Sequence, residues 1–448
     1  MRILVIGAGE VGFHVSQMLS LEEHDVVVVD LDPDVLAEVS DRLDVMTVEG
    51  NGTSAGVLEE AGAEQADLLL AVTSIDEVNI IACMIADRMG VETTVARIRS
   101  DEYTQQSSVL KAKDLGIDLV IHPEETTAAE VVHLLRRTSA TDVLEFADGQ
   151  LQLVGMRLGP DCPVLNRPLR KVVQEMPHEK FRIMAISRGV RTILPQGSEH
   201  LQANDQIFVL GGPETVEEIG QDLGMPNRPI TNVMILGGTA VGEQVASQLQ
   251  ASNGKNIKLI EPDRNRAAEL AEALEDVLIL NGDATDIDLL TREGLGEMDA
   301  FVAVTDDEES NLVSCLLADH LQVGKTVALL SKAAYIPISQ SIGLDAAVSK
   351  KLAVSRKILR FLRGTHVLSV ATVHGLDAEI LEIHANLGSK ITQSALKDLD
   401  LPQGILIGAV VREDEVRVAT GRTTIDPGDR AIVFVVPGQV ERAEEFFE

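Results

Sequence analysis

Residues Arg2–Gly12 read RILVIGAGEVG, and this stretch decides the fold. A run of β-branched and other apolar residues ends in glycines at Gly7, Gly9 and Gly12, and a segment of helical period follows. In this strand–turn–helix arrangement Gly7 makes the tight turn, Gly9 lets backbone approach a pyrophosphate, and Gly12 allows a helix to lie close on a strand. Amides at the start of the helix would face phosphate, so Gly7, Ala8, Gly9, Glu10 and Val11 form a candidate phosphate turn. Asp30 ends the next apolar run, where a carboxylate accepts from ribose hydroxyls and repels a 2′-phosphate. NAD(H), ATP and ADP are therefore favoured over NADP. The competing reading is a glycine turn that only packs a helix on a sheet.

The stretch recurs. Val233–Gly237 (VMILG) is followed by Gly238, Thr239, Ala240, Val241 and Gly242, and Glu261 stands at the position of Asp30. Asn79, Cys83 and Asp87 return as Asn311, Cys315 and Asp319, so the chain is internally duplicated. Thr239 replaces Gly9, and its side chain would crowd a pyrophosphate. The second turn, Gly237 to Val241 with Glu261, is expected to be a weaker nucleotide site. In each half, short apolar runs such as Asp67–Thr73 alternate with helical-period segments such as Glu77–Met89 and Tyr103–Leu115. The expectation is an α/β fold with duplicated, Rossmann-type, doubly wound parallel sheets.

After about residue 140 the texture changes to short alternating strands and turns, the pattern of a small α+β domain. It returns after Thr365, with Arg188, Gly197 and Asp205 matched by Arg412, Gly421 and Asp429. Four segments follow: residues 1–139 and 230–364 as nucleotide-binding domains, and 140–224 and 365–448 as accessory domains. Met225–Pro229, with prolines at both 226 and 229, reads as the central linker.

Two further groups lie where ligands bind open α/β sheets. The Thr73 and Ser74 hydroxyls, after the fourth strand, suit either a ligand or the cap of the next helix. Arg97 and Arg99, two apart on the strand Thr94–Arg99, leave one face and suit phosphates or surface ion pairs. The second half has Leu329 and Ser331 there, which makes the first half the principal phosphate site.

With 448 residues, 45% hydrophobic and only 2% aromatic with no Trp, the chain needs several cores built from Val, Ile, Leu and Ala. A formal charge of -33 opposes nucleic-acid backbones and anionic lipid. Three dispersed cysteines, Cys83, Cys162 and Cys315, suit neither a disulfide framework nor a thiolate metal site. Met1–Gly7 reads as a buried strand rather than a signal peptide, and no apolar run approaches the roughly 20 residues of a membrane span. A cytoplasmic location is expected. Histidines such as His14, His122, His133 and His200 show no metal-ligand spacing and no carboxylate partner for acid–base work. With no P-loop Gly-Lys-Ser/Thr turn, ATP would be sensed rather than hydrolysed. No catalytic residue is assigned.

Gly7–Gly12 with Asp30, Ala71–Ser74 with Asn79, Ala96–Arg99, and the tail from Leu401 to Ile405 through Gly428 and Asp429 resemble the TrkA family of bacterial Trk potassium-uptake systems. The resemblance spans the chain. It implies NAD(H) and ATP/ADP as ligands at Gly7 to Val11, Asp30, Thr73, Ser74 and Arg97, and at a second, lower-affinity site at Gly237 to Val241 and Glu261. It implies a homo-oligomeric ring, a tetramer, on the inner face of the membrane, attached to a potassium-translocating subunit. On this reading nucleotides with different affinities for two conformations shift the ring and thereby the pore. The rivals are an NAD-dependent oxidoreductase and a regulatory module for a cation–proton antiporter or another channel. The helix Lys350–Arg363 is basic whereas its repeat-equivalent after Pro123 carries Glu124, Glu125 and Glu130, so the two suit either a complementary interface or two solvated surfaces.

Overall fold

The computed structural model describes residues 1–448 except 22–23, 104–110, 136–141, 177–180, 190, 226–228, 253, 284–285, 333–334, 337–338, 340–341, 363–366, 373–377, 403, 414 and 437–438. Most of the expected central linker, at 226–228, lies outside the described residues. Packing divides the chain into two compact units, Met1–Thr127 with Lys350–Phe361, and Ala128–Ser349 with Leu362–Glu448. Among the described residues no helix is long and apolar enough to cross a membrane.

The first unit is a six-stranded parallel sheet of β1 (Arg2–Ile6), β2 (Asp25–Asp30), β3 (Met46–Glu49), β4 (Leu68–Ala71), β5 (Thr93–Arg97) and β6 (Leu119–Ile121) in the order β3-β2-β1-β4-β5-β6. β1, β2 and β4 are unbroken apolar runs because helices cover both faces of a parallel sheet. Leu4, Ile6, Val27, Val29, Leu69 and Ala71 meet the small residues Ala82, Cys83 and Ala86 of the helix Asp76–Met89 in one core. Strand order reverses between β1 and β4, and the crevice at their carboxyl ends is where such sheets bind ligands.

One local feature differs from the sequence expectation, and another lies mostly outside the described residues. β5 ends at Arg97, because the Arg99 and Ser100 amides turn away to the Asp76 carboxylate, each at 2.8 Å. Of the Tyr103–Leu115 helix, only the single 3-10 turns Asp101–Tyr103 and Ala112–Leu115 fall within the described residues.

The second unit repeats the sheet with β12 (Asn232–Leu236), β13 (Asn256–Glu261), β14 (Val277–Asn281), β15 (Ala300–Ala303), β16 (Thr326–Leu329) and β17 (Ala346–Val348), ordered β14-β13-β12-β15-β16-β17. Its core also takes in Ala128, Val131, Val132, Leu134 and Leu135 from the helix Pro123–Leu135, packed with Val233, Val302 and Val327. The later helix Lys350–Leu362, with Ala353, Val354 and Ile358 buried, instead groups through Phe361 with the first sheet. There Lys351 adds to burial in holding the His14 imidazole below its ordinary pKa. Each helix that follows a sheet in sequence thus serves the other sheet's unit. Glu124 lies 3.8 Å from Arg99, within the first unit; the Arg360 side chain and Arg363 fall outside the described residues.

The same unit holds two antiparallel sheets. The first joins β7 (Asp142–Phe146), β8 (Leu151–Arg157), β9 (Phe181–Arg188), β10 (Arg191–Ile193) and β11 (Gln206–Gly211) as β10-β9-β11-β8-β7. The second joins β18 (Val367–Thr372), β19 (Glu379–His384), β20 (Ile405–Arg412), β21 (Glu415–Val418) and β22 (Arg430–Val435) as β18-β19-β22-β20-β21, the same connectivity. Register slips at Phe208/Val209 and at Ile407/Ala409, so even the irregularity is repeated. Met184, Phe208 and Leu210 of one sheet share a core with Ile380, Ala409 and Phe434 of the other. Arg182 seals its edge by donating to the Ile407 and Ala419 carbonyls, both at 2.9 Å.

Candidate functional site

At the switch point of the first sheet, four strand ends line up as Asp30, Gly7, Thr73 and Arg97. Gly7 has φ +102°, a left-handed value that favours glycine, and its amide donates to the Val29 carbonyl at 2.8 Å. A Cβ on Gly12 would lie 1.8 Å from the Gly7 carbonyl oxygen, so the helix Glu10–Leu21 reaches the turn only because that side chain is missing. Around Gly9 the reverse holds: beyond its chain neighbours no atom lies within 4 Å of a Cβ placed there, which leaves open space above the turn. Asp30 braces the turn, one carboxylate oxygen accepting from the Ala8 amide at 2.6 Å and the other from the Asp32 amide at 3.0 Å. Each oxygen keeps acceptor capacity for a hydroxyl.

On the far side of the turn, Asn79 is fully buried and holds two strand ends together. Its Oδ1 accepts from the Thr73 amide (2.9 Å) and hydroxyl (2.7 Å), while its Nδ2 donates to the carbonyls of Thr73 (3.1 Å) and Arg97 (2.7 Å). The Thr73 hydroxyl, bonded also to Ile75, is engaged in the turn that opens the helix Asp76–Met89; Ser74 and Glu10 are exposed, and Val11 is half-buried. Arg97 is half-buried, with its Nε shielded from solvent and without a hydrogen-bond partner. Burial, followed by the neighbouring Arg99, lowers its pKa against the pull of Glu124 and Asp76. Unpartnered buried guanidinium nitrogen is costly, and an anion would satisfy it.

In the second sheet the row reads Glu261, Gly237, Thr305 and Leu329. Gly237 has φ +104° and Gly242 packs on its carbonyl as Gly12 does on Gly7's. Glu261, 8% exposed, accepts from the Gly238 and Asp263 amides, each at 2.8 Å, which is the Asp30 brace with one more methylene. A Cβ on Gly238 would meet Leu270 at 2.4 Å and Glu261 at 2.8 Å, so Ala8 has become glycine here. Thr239 turns its hydroxyl inward: it donates to the Val304 carbonyl at 2.7 Å, accepts from the Gly242 amide at 3.3 Å and caps the helix Ala240–Gln250. Ala240 is exposed and Val241 buried. Asn311 repeats the Asn79 bridge, from Thr305 to the Leu329 carbonyl.

Four side chains beyond the site residues expected from sequence bear on these turns: Asn79, Asn311, Arg266 and Glu243. The identity of Asn79 and Asn311 across the repeat was a visible signal for the bridging amide. Arg266 and Glu243 had none: their side chains form an ion pair over the second turn, and that pairing joins two helices.

The TrkA-N domain model matches residues 3–123 and 233–350, and the TrkA-C domain model matches 153–224 and 380–448. The chain belongs to the TrkA family. A Trk system potassium uptake protein TrkA homolog 2 of Methanosarcina mazei is 36% identical over 100% of both chains. A Trk system potassium uptake protein TrkA of Halomonas elongata is 34% identical, over 97% of this chain and 96% of its own. Among solved structures, the GsuK channel bound to NAD matches 99% of this chain and 78% of its own at TM-score 0.61 and 17% identity, a likeness of fold. Both glycine turns and both bridging asparagines therefore lie in TrkA-N segments, and the paired antiparallel sheets lie largely in TrkA-C segments.

Proposed function

We propose that this TrkA-family chain is a non-catalytic, nucleotide-sensing regulatory subunit of a Trk-type potassium-uptake system. It acts in the cytoplasm as a homo-oligomeric, tetrameric ring on the inner face of a potassium-translocating membrane subunit. The observation that carries the reading is the first TrkA-N turn: open space over Gly9, a braced acceptor at Asp30 and an unpartnered buried Nε on Arg97. The full-length identity to relatives named as Trk potassium-uptake proteins supplies the system.

The residues of the first lobe divide the work. The turn Gly7 to Val11 presents amides and the helix start to phosphates. Asp30 takes ribose hydroxyls and disfavours a 2′-phosphate, which selects NAD(H), ATP or ADP. Arg97 gives charge to the phosphates, and Asn79 keeps the β4 and β5 ends at fixed spacing. Ligands that prefer one conformation over another shift the equilibrium by that difference in affinity, and the attached pore reads the shift.

Calorimetric titration of the full chain with NADH, NAD, ATP, ADP and NADPH, with NADH absorbance followed for turnover, tests the reading. Binding without turnover, weakest for NADPH, with the first-lobe site lost in Asp30→Ala at unchanged melting temperature, is the expected result. Steady NADH oxidation, or no nucleotide binding, overturns it.

A further inference from the structure

The second TrkA-N lobe lacks the Arg97 cation, since Leu329 stands there, yet a different guanidinium sits on its glycine turn. Arg266, in the first turn of the helix Arg264–Ala273, donates through Nε to the Gly238 carbonyl at 3.0 Å. Its two terminal nitrogens bond Glu243 at 2.5 Å, on the first turn of the helix Ala240–Gln250, and Glu269 at 3.2 Å. Arg266 and Glu243 are each 33% exposed at the side chain, so the pair is accessible from solvent.

This arrangement is peculiar to the second lobe. The Arg266 amide bonds the capping Asp263 as the Val35 amide bonds Asp32, so Val35 holds the equivalent place in the first lobe. Likewise the Glu243 amide bonds the Thr239 carbonyl as the Phe13 amide bonds that of Gly9. Apolar Phe13 and Val35 in one repeat stand where the other has an ion pair. The guanidinium lies where the turn and the helix start would meet phosphate, and a planar fork of donors matches phosphate oxygens. What holds it there is a carboxylate, which repels the same anion.

Resting on the nucleotide-binding reading above, we propose that Arg266 is the phosphate-binding cation of the second lobe, parked on Glu243 until a nucleotide phosphate displaces the carboxylate. Glu243 thereby sets the affinity of this lobe: it must give up Arg266 before the phosphate can take it. The two lobes then read different nucleotide concentrations, the first through Arg97, which has no such competitor on its Nε, and the second through an internally masked arginine.

The test uses ATP and NADH as probes in calorimetry on the full chain, with Asp30→Ala as background so that only the second lobe reports. Adding Glu243→Gln or Glu243→Ala should tighten binding about fivefold, the scale of a half-exposed ion pair. Adding Arg266→Gln should abolish it, and all variants should retain the parent melting temperature within a few degrees. Unchanged affinity in both Glu243 variants overturns the proposal, as does tightening in Arg266→Gln, which would make Arg266 a plug and not a partner. Wild-type chain with Asp30 intact is titrated alongside: if it binds no nucleotide the functional reading fails, whereas binding there with indifferent Glu243 variants sinks only the masked arginine.

Discussion

Single residues carry the geometry of each turn, and their costs follow from what surrounds them. Gly12→Ala would put a methyl 1.8 Å from the Gly7 carbonyl oxygen, closer than any real contact, so the helix Glu10–Leu21 must move off the sheet. Overpacking of this kind costs about 1–3 kcal/mol, and the variant should melt lower and lose nucleotide binding together, by calorimetry and thermal denaturation. Gly9→Ala, which meets open space, should instead leave the melting temperature in place while weakening any ligand that approaches the turn. Asn79→Ala removes both ends of the strand-end bridge and leaves the Thr73 amide without its partner at a buried site. A loss of about 1–3 kcal/mol is expected, with the equivalent Asn311→Ala losing as much in the second unit.

At the scale of elements, the antiparallel sheets are held by repeated pairings across neighbouring strands. Arg412 at the end of β20 forms a two-pronged bond with Asp429 just before β22, at 2.9 Å and 2.7 Å; Arg188 and Asp205 do the same between β9 and β11. Burial alone would raise the Asp429 carboxyl, but the Arg412 guanidinium and the Asp426 amide hold it below its ordinary 3.8. A carboxyl depressed in the fold adds stability above its unfolded pKa and loses it as pH falls through the folded value. Asp429→Asn should therefore cost about 1–3 kcal/mol near pH 7, and its gap from wild type in thermal denaturation should narrow as pH falls below 3.8. A gap constant from pH 7 to pH 2.5 would refute that assignment. Where the two sheets meet, a Cβ on Gly408 would lie 2.6 Å from both Leu210 and Met184, so Gly408→Val should part the sheets and raise dye binding to exposed apolar surface.

For the whole molecule, the grouping of elements departs from their order along the chain. A fragment of residues 1–139 retains the helix Pro123–Leu135 without the second-unit core that buries Val131, Val132 and Leu135, and lacks the helix Lys350–Leu362 that groups with its own sheet. It should be poorly soluble or bind apolar dyes strongly, and size-exclusion chromatography with light scattering would show aggregates. A fragment of residues 1–364 uncovers Met184, Phe208 and Leu210 in the same way, because the second sheet of their shared core is gone. Neither repeat is expected to unfold as an independent cooperative unit.

Much of this was legible in the residues themselves. The parallel sheets followed from fully apolar strands alternating with helical segments, the switch-point turn from Gly7, Gly9 and Gly12 with Asp30, and the duplication from Asn79, Cys83 and Arg188 recurring at Asn311, Cys315 and Arg412. These are local patterns, set by backbone sterics and by the periods of helix and strand, so neighbouring residues suffice to reveal them. The exchange of helices between units, the core shared by the antiparallel sheets and the Arg266–Glu243 pair were decided only in the tertiary structure. An apolar helix face is equally satisfied by either of two similar cores, and an arginine by any carboxylate within reach. Which partner it meets depends on residues far apart in the chain arriving at the same place.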